Sequence, residues 1–166
     1  IIDPACSVVF EAEQEEPDIM QWPPRNPGDH ILDRSTVTIA LVQGFVALGV
    51  VLAIYLYGMM QGLSEDELRT ISFVTIVVAN LALICTNRSW SESIVATFRK
   101  PNTAFWWVIG GTVFFLGAVL IVPGLRDLFQ FAPVPPEYLL ICIIGGLVSV
   151  AWFELYKIMR SRQVDS

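Results

Sequence analysis

Asp3 followed by Pro4, inside an apolar segment, is the residue pair in this chain best suited to chemistry. A carboxylate in a membrane segment costs about 2.5–3.5 kcal/mol on insertion scales, so it tends to face a partner or an ion. Proline removes a backbone donor and leaves an upstream carbonyl unpaired, and a freed carbonyl is an oxygen ligand for a hard cation. Broken helices with exposed carbonyls hold ions near the bilayer midplane in many transporters. The competing account is that Asp3 lies at a helix end and caps or is solvated there. Asn80, in a separate apolar run, offers a neutral carbonyl oxygen to the same kind of ion; its plainer use is a hydrogen bond to another helix.

Other reactive groups carry less. His30 is the single histidine and stands beside Asp29 in a polar stretch, which suits a solvated loop side chain better than a metal ligand. Cys6, Cys85 and Cys142 lie in or beside apolar segments, with neither a disulfide framework nor metal-ligand spacing, and read as packing residues. Glu154 stands one helical turn before Lys157, close enough for a local ion pair. The net charge of -6 comes largely from the run Glu11 to Asp18 and the cluster Glu65-Asp66-Glu67, and it gives no reason to expect a nucleic-acid partner.

The elements that must position these residues are membrane helices. Apolar residues make up 54% of the chain, charged residues 16%, and the mean hydropathy is +0.60, more apolar surface than a soluble domain of this size could hide. Roughly 20 helical residues match the ~30 Å hydrocarbon core, and four stretches are that long: about 37–60, 70–87, 104–122 and 138–156. All four are expected to be helices, because an unpaired backbone group in lipid costs several kcal/mol. The fold class is therefore all-α, a polytopic helical membrane domain in which residues 1–10 end an earlier helix. Residues 11–36 form a loop, residues 37–157 carry four full spans, and residues 158–166 form a tail.

Lys and Arg concentrate on the cytoplasmic side of membrane proteins. One side here holds Arg25, Arg34, Arg88, Arg99, Lys100, Lys157, Arg160 and Arg162, while the other holds Arg69 and Arg126. That bias puts residues 11–36, 88–103 and the C-terminus in the cytoplasm. Tyr55, Tyr57, Trp106, Trp107, Tyr138 and Trp152 stand near span ends as interfacial anchors. Gly44, Gly49, Gly58, Gly110, Gly111, Gly117, Gly145 and Gly146 are expected to let helices approach closely.

The loop contains the most specific string in the chain, Asp18-Ile19-Met20-Gln21-Trp22-Pro23-Pro24-Arg25-Asn26-Pro27. It resembles the loop after the sixth transmembrane helix of P-type cation-transporting ATPases of the calcium-pump-like branch, where Asp-Ile-Met and Pro-Pro-Arg flank two variable residues. Two further strings are similar to the same family: Asn87-Arg88-Ser89 with Ser91-Glu92-Ser93 to an inner loop, and Phe153-Glu154-Leu155-Tyr156-Lys157 to the end of the last helix. The resemblance covers essentially the whole chain. It implies that Asp3 matches the sixth-helix aspartate of the family's ion site, and that the loop with Pro23, Pro24, Arg25, Asn26 and Pro27 packs against cytoplasmic domains. It also implies a parent pump that uses ATP and Mg2+ and carries a cation such as Ca2+. The partners would be the catalytic domains and the first six transmembrane helices, within a bacterial plasma membrane.

Departures from the family pattern narrow the expectation. Ile2 stands where two-ion calcium pumps have a hydroxyl residue, and after Val74-Thr75-Ile76 the chain has Val77 where those pumps have a glutamate. One divalent ion is therefore expected rather than two, with Asp3 and Asn80 among its ligands. The family's Asp-Lys-Thr-Gly-Thr phosphorylation string is absent from these residues, as is a Walker-type glycine loop, so this segment by itself is not expected to hydrolyse ATP. The chain begins at Ile1 and reads as a piece of a longer polypeptide. Two other readings stay open: a free-standing four-helix membrane subunit or regulator of a transporter, and a small oligomeric secondary transporter. Against the latter, the spans hold few large polar groups beyond Gln43 and Asn80.

Overall fold

The computed structural model describes residues 7–9, 11–12, 34–87 and 102–164, with side chains omitted at 35, 36 and beyond 155. The elements in chain order are α1 (Arg34–Met60), α2 (Glu65–Asn87), α3 (Thr103–Ile121), the short α4 (Pro123–Leu128) and α5 (Pro136–Val164). Among the described residues the secondary structure is all helical, and four stretches are long and apolar enough to cross a membrane: Val37–Met60, Glu65–Asn87, Thr103–Ile121 and Pro136–Leu155. Residues 7–9 and 11 are helical as well. The loop motif at Pro23–Pro27 and the residues around Asp3 lie outside the described residues.

Local sequence explains where the helices start and stop. α1 closes in a Schellman turn, with the Leu63 amide donating to the Gly58 carbonyl and the Gly62 amide to the Met59 carbonyl, each at 3.1 Å. Gly62 takes φ 78, a left-handed conformation that a Cβ would oppose. Two residues later a capping box opens α2. The Glu67 carboxylate accepts from the Ser64 amide and hydroxyl at 2.8 Å, and the Glu67 amide donates back to Ser64 Oγ at 3.4 Å. The box explains why α2 begins at Glu65, well ahead of the apolar stretch that starts at Thr70. Loss of such a cap costs about 1 kcal/mol. Pro123 ends α3 and, as a first-turn proline with its φ already set, starts α4.

The connection from α4 to α5 is fastened to the start of α2. Gln130 adopts φ 54, and its carbonyl and side-chain oxygens both accept from Arg69 Nη1, at 2.9 and 3.1 Å. The same guanidinium nitrogen meets Asp66 at 2.9 Å. Thr70 Oγ1 accepts from the Ala132 amide at 3.1 Å and lies 2.8 Å from the Asp66 carbonyl, to which it donates. Phe73, Phe131, Phe129 and Phe115 form a continuous row of ring contacts across α2, the connection and α3. Together these contacts hold a non-glycine residue in a conformation L-residues seldom adopt.

Packing makes α2 the central helix. Half (50%) of its most apolar window is buried, against 11% for α1 and α3. One cluster, around Ile54, Leu68, Ile71, Val74 and Cys142, fills the end that carries the α1–α2 turn. A second, around Val9, Ile84 and Phe105, fills the opposite end. The helices therefore alternate in direction, so that the start of α1, the end of α2 and the start of α3 share one end.

The glycines divide into two groups. A Cβ on Gly145 would lie 2.6 Å from Ile54 Cδ1, and one on Gly146 would lie 2.6 Å from Val78 Cγ1 and 3.0 Å from the Ala79 backbone nitrogen. One on Gly58 would lie 2.7 Å from Ile71 Cδ1. These three are close-approach points, and the pair on α5 lets it settle into the groove between α1 and α2. Gly44, Gly49, Gly110, Gly111 and Gly117 meet no described atom within 4 Å, so among the described residues the close approach expected of the span glycines is seen at the other three.

Large apolar side chains cover the outside. Phe45 is 70% exposed, Trp107 78%, Phe114 78% and Ile121 77%, values that only a lipid or protein environment makes tolerable. α5, at 29 residues, measures ~44 Å and so outruns the ~30 Å hydrocarbon core.

Candidate functional site

The end of the bundle that receives residues 7–12 holds two amide links between elements. Val9 is fully buried between Ile84 of α2 and Phe105 of α3. Asn102, 3% exposed, sits at the junction with its two amide ends put to different uses. Its Oδ1 accepts from the Phe105 amide at 2.9 Å and caps α3, while its Nδ2 donates to the Val9 carbonyl at 3.2 Å. That donor reaches the carbonyl from outside the helical stretch to which Val9 belongs. Three residues beyond Ile84 on α2, Asn87 accepts at Oδ1 from Nε2 of Gln43 of α1 at 3.4 Å, and Gln43 is buried to 7% exposure. Apolar contacts and two amide links thus gather four elements: the segment bearing Val9, α1, α2 and α3.

The residues expected to bind an ion are distributed as follows. Asp3 lies outside the described residues, six positions before Val9 on the same chain. Asn80 is half-buried on α2, one helical turn before Ile84 and next to Ala79, which abuts Gly146. Val77, compared above with the glutamate position of two-ion pumps on the strength of the resemblance, is buried at 6% exposure. Among the described residues no group of three or more His, Cys, Asp or Glu converges to hold a metal. Cys142 is buried and donates from Sγ to the Ile71 carbonyl at 3.4 Å, in keeping with a packing role, and Cys85 is half-buried at the other end of α2. His30 and the Lys157 side chain lie outside the described residues, so the Glu154–Lys157 pair is not observed.

Asn102, Thr70 and the Ser64–Glu67 box went unread in the sequence, although two of them have a signal. Asparagine directly before an apolar run is an N-cap pattern, and Ser-x-x-Glu is a capping box. Thr70 has none, since its partner Ala132 is distant in sequence.

A bundle with an apolar exterior, glycine close-approach points and interhelical amide links is a polytopic integral membrane domain. Its membership is equally plain: residues 1–159 match the family described as "Cation transporting ATPase, C-terminus", and the chain belongs to that family. It is the C-terminal membrane region of a P-type cation-transporting ATPase. No individual curated protein matches it.

Proposed function

We propose that this domain braces the transport helices of an ATP-driven divalent-cation pump and supplies part of the ion site through Asp3, with Asn80 as a neutral ligand. The observation that carries the reading is the burial of Val9 between Ile84 and Phe105, which docks the helical stretch following Asp3 into the support bundle. On α2, Asn80 stands one helical turn, ~6 Å, before Ile84, which packs with Val9. A carboxylate and an amide oxygen are hard ligands suited to Ca2+, Mg2+ or Mn2+. Val77 in place of a carboxylate supports one ion per cycle.

On this reading the end bearing Val9 and Asn102 is cytoplasmic, by the eight-to-two bias of Lys and Arg, and the membrane is a bacterial plasma membrane. The loop with Pro23, Pro24, Arg25, Asn26 and Pro27 reaches catalytic domains elsewhere in the polypeptide, which bind ATP and Mg2+ and form the aspartyl-phosphate. Cytoplasm-side-out membrane vesicles containing the native polypeptide are expected to accumulate a divalent cation when given MgATP, with Ca2+ the first to test. Absence of ATP-dependent uptake for Ca2+, Mn2+ and Mg2+ alike would overturn the proposal.

A further inference from the structure

The geometry points to Asn102 as a positioning residue for ion binding, a two-ended amide that fixes the inner end of the Asp3-bearing segment against α3. This inference rests on the ion-binding reading of Asp3 given above. Asn102 does not touch the ion. It acts through the chain, because Val9, whose carbonyl it holds at 3.2 Å, lies six residues beyond Asp3.

The two ends of the side chain have separable duties. Capping α3 requires only an oxygen at position 102, and serine, threonine or aspartate supplies one. Reaching the Val9 carbonyl requires a donor on the same side chain, and the carboxamide is the group that offers acceptor and donor together at this length. A cap alone therefore does not account for an amide here. The junction is also dry: Asn102 is 3% exposed, Phe105 1% and Val9 0%, so water cannot replace a lost bond without opening the packing. With Ile84 and Phe105 fixing the Val9 side chain laterally, the Asn102 bond fixes how the segment is set along and about its own axis. A ligand whose chain is anchored a few residues away binds at a lower ordering cost, which is how a bond remote from the ion raises affinity.

The test uses the full native polypeptide in membranes, with Asn102→Ser and Asn102→Asp. Both retain a capping oxygen; aspartate has no donor, and the hydroxyl of serine, on a shorter side chain, loses the reach to the Val9 carbonyl. Two quantities are read as Ca2+ or Mn2+ is varied: the maximal amount of phosphoenzyme per polypeptide, and the cation concentration giving half of it. The expected result is an unchanged maximum and a half-saturating concentration raised about threefold to tenfold, the size of one net hydrogen bond. Should Asn102→Asp fail to accumulate because it buries a charge, Asn102→Ser carries the test.

Half-saturation equal to wild type in an accumulating variant would overturn the inference, as would a lowered maximum with unchanged half-saturation, which marks a purely structural cap. A wild-type protein that forms no cation-dependent phosphoenzyme would instead overturn the pump reading, and the inference with it. That outcome is distinguishable because wild type and variants would be silent alike.

Discussion

Replacing Asp3 with asparagine is expected to raise the cation concentration needed for half-maximal phosphorylation of the parent polypeptide by at least ~100-fold, without reducing the amount of protein in the membrane. Breaking a buried charge pair by neutralising one partner costs about 3–5 kcal/mol, and every 1.4 kcal/mol is about tenfold in affinity. Insertion moves the other way, because the neutral amide is cheaper to bury than the carboxylate. Asp3→Glu, which keeps the charge and displaces it, is expected to fall between the two. Cation titration of phosphoenzyme in membranes carrying each variant is the measurement. Wild-type half-saturation in Asp3→Asn would mean that Asp3 merely caps a helix end, and the site would have to be sought elsewhere.

The second large effect is in packing. Gly146→Ala is expected to destabilise the bundle by about 1–3 kcal/mol, the usual cost of overpacking a filled core. The new methyl would meet Val78 Cγ1 at 2.6 Å and the Ala79 backbone nitrogen at 3.0 Å. Backbone cannot retreat cheaply, and a β-branched valine in a helix has one strongly preferred rotamer. Gly145→Ala should cost less, because its nearest obstacle is the tip of the more flexible Ile54 side chain. Gly111→Ala, which meets no described atom within 4 Å, should be neutral or slightly stabilising through helix propensity. Thermal unfolding of the native polypeptide in lipid nanodiscs should give Tm in the order Gly146→Ala, Gly145→Ala, wild type, from lowest upward. A Gly146→Ala protein that melts with the wild type would contradict the close approach of α5 to α2.

The spans were legible because each is set by composition: a run of apolar residues of bilayer length must be helical whatever surrounds it. Helix ends depended on single residues instead. The start of α2 could have been read from Ser64 and Glu67, and that of α3 from Asn102. The fastening of Gln130 and Ala132 to Arg69 and Thr70 could not, because it joins residues about sixty positions apart through a backbone turn that no local pattern announces. Glycines show the same limit, since eight look alike in sequence and their neighbours decide which are contacts. At the candidate site, residue type alone singles out Asp3 and Asn80 as proposed ligands, whereas the contact that holds the incoming segment, Asn102 to Val9, depends on partners far apart along the chain.

The central claim is that these helices belong to a working ATP-driven pump. It is tested most directly by incubating source membranes with radiolabelled ATP and isolating the polypeptide with an antibody raised against the tail Arg160 to Ser166. The expected result is an acid-stable phosphoenzyme, dependent on a divalent cation, on a band several times larger than the 18.5 kDa of this chain. An antibody-reactive band of 18.5 kDa that takes up no phosphate would contradict the claim and leave a separate membrane subunit in its place.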